Sequence, residues 1–257
     1  MRPGSLAWRI GRESALLLGG GRALILQVAH PGVAAGVAQH SNYREASWRR
    51  LYRTVAVTSS IAFGDEAASR EAAERLRRVH TRVQGRDDRG DPYRALDPEL
   101  LLWVHATLLD TSLLIYDRYV RRLTEPERAL YYEQMRPVAR AYGITAQAQP
   151  PDWPAFRDYF ERMLAEGLRV TDTTREVSAS LLDPALPLPM RPAMWPAIEA
   201  IRLVTVGTLP GSLRDELALD WGPRRQRLLG VSQATIRRLL PLLPGLLRQF
   251  PAARTAA

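Results

Sequence analysis

Asp97-Pro98-Glu99-Leu100-Leu101-Leu102-Trp103-Val104-His105-Ala106-Thr107-Leu108-Leu109-Asp110 reads as the opening of one long helix that continues to about Arg121. Asp97 supplies a cap, and Pro98 occupies the first turn, where a missing N–H costs least. Glu99 places an acid at the positive end of the helix. Leu101, Leu102, Leu108 and Leu109 recur at helical spacing, and His105 shares their inward face.

The same period governs the rest of the chain, and clean alternation of the strand type is scarce. Helices are expected over 5–18, ended by the triple glycine Gly19-Gly20-Gly21, then over 23–29 and from Pro31 to His40. Further helices are expected over 43–63, from the Asp65 cap to Val83 with Gly85 closing, and over 124–142, 153–167 and 171–182. Residues 183–196 are dense in proline and read as an extended surface crossing. Helices over 197–208, 211–220 and 232–250 follow it. The expectation is all-α: a single multi-helix, bundle-like domain over 1–257 that encloses an apolar pocket.

Composition excludes whole classes of chemistry. The chain has no cysteine, which removes disulfides, thiolate-ligated haem, iron–sulfur clusters and cysteine nucleophiles. All 36 basic residues are arginine, so pyridoxal Schiff bases and P-loop or catalytic lysines are also impossible. The net charge of +9 is interleaved with acids, as in Arg86-Asp87-Asp88-Arg89, so a solvated basic surface is expected rather than a nucleic-acid interface. No run of about eighteen apolar residues occurs, so no transmembrane segment is expected and the default location is the cytoplasm.

The chain contains four histidines. His80 sits beside a stripe of Ala72, Leu76, Val79 and Val83, a placement that suits either a core histidine or a proximal haem ligand. His105 can line a pocket or bond a buried neighbour. His30 and His40 fall on different helix faces and do not form an obvious ligand pair. There is no H-E-x-x-H, E-x-x-H, G-x-G-x-x-G or G-x-S-x-G, which leaves histidine, arginine and carboxylates to carry any chemistry.

Four segments carry a family resemblance. They are Leu26-Gln27-Val28-Ala29-His30-Pro31 through His40-Ser41, Arg50-Leu51-Tyr52-Arg53-Thr54 through Phe63-Gly64, Arg77-Arg78-Val79-His80 through Gly85, and Tyr93-Arg94-Ala95-Leu96-Asp97-Pro98 through Thr107. Together they resemble the catalytic domain of the MpaB/latex-clearing-protein oxygenase family. The resemblance implies an all-helical fold and haem b with its iron. The characterised latex-clearing members cleave carbon–carbon double bonds of isoprenoid chains with dioxygen. This chain shows no counterpart of the carboxylate that branch uses, so a small apolar substrate or another oxidation is expected instead. The resemblance further implies that Arg77-x-x-His80 presents the proximal ligand, making His80 the metal-binding residue, and that Arg50-x-x-Arg53-Thr54 forms the distal side. Arg77 and His105 join the cofactor site on this reading. Arg53 stands where the latex-clearing branch has lysine, and a guanidinium stays protonated and does not ligate iron. Two other readings use the same residues: a non-haem metal enzyme built on the histidines, and a non-catalytic helical protein that binds an apolar ligand.

Overall fold

The long helix is the axis of the molecule. In the computed structural model, which describes residues 1–41, 56–184, 190–251 and 253, α6 spans Pro98–Ile115 and runs on through a π-turn over Tyr116–Val120. Trp103, Ala106, Leu109 and Leu113 are buried along it in the main apolar cluster. The other elements are α1 (Leu6–Gly11), a 3-10 turn (Ser14–Gly19), α2 (Gly20–Val28), α3 (Pro31–His40), helical residues 56–63 (α4) and α5 (Glu66–His80). After α6 come α7 (Glu125–Ala141), α8 (Trp153–Arg162), α9 (Asp172–Leu182), α10 (Arg191–Thr208), α11 (Gly211–Glu216), α12 (Pro223–Leu239) and α13 (Gly245–Arg248). The all-α expectation holds.

Four details depart from the sequence reading. First, residues 5–18 do not form one helix: α1 stops at Gly11, and a 3-10 turn follows a β-bridge from Glu13 to Gln249. Second, α5 ends at His80, not Val83, and the chain then forms a short hairpin of β1 (Gln84–Arg86) and β2 (Pro92–Arg94). Asp87 Oδ1 accepts from the Arg89 and Asp91 amides to close its turn. Gln39 holds it to α3, accepting from the Tyr93 hydroxyl and donating to the Arg86 carbonyl. Third, α10 starts at Arg191, inside the expected crossing, and tolerates Pro196 near its beginning. Fourth, the last long helix runs from Pro223 to Leu239, earlier than expected, because Pro223 starts it and Pro241 and Pro244 cannot continue it.

The end of α6 is anchored by charge. Asp117 accepts from the Leu123 amide (2.9 Å), Arg122 (2.6 Å) and Arg128 (2.7 Å), while Arg237 donates to the carbonyls of Asp117 and Arg118. Carbonyls that a helix terminus leaves without partners are thereby satisfied from α12. Thr124 and Glu127 then form a capping box that starts α7.

The triple glycine has a packing cause. A Cβ on Gly19 would lie 2.4 Å from Thr111 Cγ2 on α6, and one on Gly21 would lie 2.2 Å from Thr205 Oγ1 on α10. The start of α2 is thus wedged between the two longest helices, and only hydrogen side chains allow the approach. Gly21→Ala is expected to cost about 1–3 kcal/mol through overpacking. In urea unfolding this appears as a lower midpoint at unchanged slope. Adding Thr205→Ala should recover most of the loss, whereas no recovery would mean that the strain lies elsewhere.

Candidate functional site

A cavity of about 230 Å³ opens beside the central helix. Ligand pockets commonly hold about 300–1,000 Å³, so this one suits a compact ligand. Its walls come from several elements. Helix α6 contributes His105, Leu108, Leu109 and Ser112, and α7 contributes Tyr131, Met135, Val138 and Tyr142. Leu16, Leu17, Ala23 and Leu24 close the side of the 3-10 turn and α2. Thr58, Ser59, Ala62 and Phe63 of α4 face them, with Val177 and Leu181 of α9 and Phe250 completing the wall.

His105 is the polar centre of this apolar surface. It is buried, and neither Nδ1 nor Nε2 has a hydrogen-bond partner among the described residues. Its ring lies 5.6 Å from that of Tyr142, centroid to centroid. Burial holds the imidazole pKa down to about 4, so the ring is neutral at pH 7 with a lone pair available. Burial likewise pushes the phenols of Tyr131 and Tyr142 up to about 12, opposed in part by Ser112 and Thr58 respectively. The wall therefore offers hydroxyls and one neutral imidazole, with no ionised group among these three titratable side chains at neutral pH.

Behind the cavity, Arg22 of α2 is buried and ties three helices together. It donates to the Thr208 carbonyl (2.8 Å) and Thr111 Oγ1 (2.6 Å), and lies 2.7 Å from Asp110 Oδ2, close in distance but outside hydrogen-bond angles.

The residues expected from the sequence fall in different places. His105 is on the cavity wall, as its face suggested, along with Leu108 and Leu109. Leu102 turns instead to a second cluster with Ala139 and Ile144, against which Leu101 packs. His80 is the last residue of α5, half-buried, and is not on the wall; burial lowers its pKa below the usual histidine range. Arg77, on the same helix, is exposed. Arg50, Arg53 and Thr54 lie outside the described residues, a few positions before the α4 residues Thr58 and Ser59 that line the cavity. His30 caps α3, its Nδ1 accepting from the Gly32 amide, and His40 Nε2 meets the Gln84 carbonyl. Among the described residues no three His, Asp or Glu side chains converge as a metal site. Sequence reasoning missed the tyrosine and hydroxyl side of the cavity. Tyr131 lies on α7 and Tyr142 caps its C-terminal end, and neither residue type by itself marks a cavity wall.

The family model described as "ER-bound oxygenase mpaB/B'/Rubber oxygenase, catalytic domain" matches residues 8–240. The chain belongs to this family. The match takes in every element from within α1 to Leu240, so the cavity walls built from the 3-10 turn, α2, α4, α6, α7 and α9 all belong to the oxygenase-family domain, while Met1 and Phe250 on the wall lie beyond it. Two uncharacterized proteins are similar over 209 residues at 25% identity: Rv2237 of Mycobacterium tuberculosis and Mb2261 of Mycobacterium bovis. In each case the match covers 79% of this chain and 80% of the relative. No solved structure matches the chain.

Proposed function

We propose that this oxygenase-family chain is a haem b-dependent oxygenase that acts, with dioxygen, on a small apolar substrate. The observation that carries the reading is the apolar cavity with a buried, neutral imidazole on its wall that has no hydrogen-bond partner among the described residues. A histidine-ligated b haem takes a neutral imidazole on its iron and apolar surroundings, and the wall supplies both. At about 230 Å³ the cavity is smaller than a porphyrin and would have to widen to admit one. When bound, the haem supplies the oxygen chemistry, and the protein supplies position, dryness and hydrogen bonds.

His80 is assigned as the iron ligand because Arg77-x-x-His80 matches the family's proximal pattern, and its lowered pKa keeps it neutral at pH 7. Arg50 and Arg53 remain cationic and serve as donors to oxygen or to propionates, with the Thr54 hydroxyl beside them in sequence. The leucines and Phe63 exclude water from the substrate, while His105, Tyr131 and Tyr142 orient any polar atom it carries. One observation favours a second assignment of the ligand. Neither nitrogen of His105 has a partner among the described residues, so this imidazole is free to take the iron in place of His80.

Protein produced with haem precursor is expected to show a Soret band and near-stoichiometric b haem in the pyridine haemochrome assay. His80→Ala should lose that haem while His105→Ala keeps it. The reverse pattern would transfer the ligand role to His105. A folded wild-type preparation that takes up no haem would overturn the assignment and leave an oxygenase-family fold that holds an apolar ligand.

A further inference from the structure

From Trp221 to Ala257 the sequence contains seven arginines and no aspartate or glutamate, so this stretch holds seven of the nine net positive charges. The same stretch carries the most exposed apolar residues of the described chain. Every residue from Pro241 to Leu247 is exposed, with Leu242 at 77%, Leu246 at 71% and Leu247 at 63%. Isolated exposed leucines are ordinary on a protein surface, but a continuous Pro-Leu-Leu-Pro-Gly-Leu-Leu ridge is not.

Helix α12 leads into this ridge with the same two chemistries side by side. At 3.6 residues per turn, its exposed arginines and large apolar residues share an arc of about 120°. Arg227 and Arg238 lie toward one flank and Leu228 and Leu239 toward the other, with Arg224 and Val231 between them. These three arginines form no ion pair among the described residues. The ridge is also firmly held. Arg248 makes two 2.9 Å contacts to the buried carboxylate of Glu13, Ser14 donates to the Leu247 carbonyl, and the Phe250 amide donates to the Arg12 carbonyl. The leucines are therefore presented outward by a braced turn.

We infer that this face docks the protein on an anionic lipid bilayer, with the ridge leucines entering the interface and the α12 arginines meeting lipid phosphates. An apolar wedge flanked by cations is the arrangement that binds the boundary between headgroups and acyl chains. A second copy of the chain is a poorer occupant, because the two basic flanks would repel. A nucleic acid would leave the leucines without a use. Docking here requires no haem. The face adjoins the cavity, since Leu17 and Phe250 lie on the cavity wall and Leu17 is itself half exposed. If the oxygenase reading above holds, an apolar substrate dissolved in the bilayer would reach the cavity from this side.

Full-length protein should co-sediment with vesicles of phosphatidylcholine mixed with phosphatidylglycerol, and far less with phosphatidylcholine alone. Added salt should weaken the binding. Replacing the ridge leucines together (L242S/L246S/L247S) is expected to lower partitioning by at least about tenfold. Each of R224S, R227S and R238S is expected to lower it by about fivefold. All six positions are exposed, so unchanged thermal melts should accompany these losses. Partitioning that ignores lipid charge, or that survives both sets of substitutions, would overturn the inference. So would light scattering that shows a dimer dissolved by the leucine substitutions without any lipid binding.

Discussion

Arg22→Ala should remove about 3–5 kcal/mol of folding stability, a large share of the total available to a domain of this kind. The side chain is 4% exposed, and its guanidinium bonds the Thr208 carbonyl and Thr111 hydroxyl while facing Asp110. Truncation leaves the Asp110 carboxylate, one quarter exposed, without its cation, and the Thr208 carbonyl without this donor. It also leaves a cavity where α2, α6 and α10 meet. Arg22→Lys should recover only part of the loss, because a single ammonium cannot span three acceptors in fixed directions. Replacing both partners by apolar groups, Arg22→Met with Asp110→Leu, should cost much less than Arg22→Ala alone, since no charge is then stranded. Denaturant midpoints of the three variants check this order. A loss below about 1 kcal/mol for Arg22→Ala would show the ion pair to be incidental.

This pair also marks the limit of what the sequence discloses. Helical period and the Asp97-Pro98 start located α6, and Thr124-Glu125-Pro126 located the start of α7, because these signals depend on neighbours in the chain. The glycines at the start of α2 announced a break, but their cause is Thr111 and Thr205, about 90 and 180 residues away. The hairpin at 84–94 was hidden for a similar reason: its three-residue strands are too short to show alternation, and Gln39 of α3 holds them in place. At the site, the inward face of His105 was legible from its flanking leucines. Its lack of a partner among the described residues was not, because that depends on what α4 and α7 present across the gap. Nor could spacing reveal that His80 ends its helix off the described wall, since the turn at Thr81 comes before the glycine expected to close it.

Protein prepared without added haem should lose stability as pH falls from about 6.5 to about 4, and His105 should account for most of that loss. Its folded pKa is about 4 because burial penalises the imidazolium, whereas an unfolded histidine titrates near its ordinary value of 6.5. Between these values the unfolded chain binds a proton that the folded chain excludes, so acid favours unfolding throughout the window. Above pH 6.5 both states are neutral and the full stability is present. Integrated across the window, the loss is on the order of 3 kcal/mol. His30 and His80 are shifted in the same direction by burial, so the wild-type curve alone does not isolate His105. His105→Leu does, because it removes the titrating group and fills the same apolar site. This variant should match or exceed wild type at pH 7, since an imidazole whose two nitrogens have no partner among the described residues is itself costly to bury. It should then show a much flatter decline toward pH 4. Equal slopes for the two proteins would mean that the ring is hydrated or bonded in solution. The cavity would then be wet, and the apolar pocket on which the oxygenase reading depends would not exist as described.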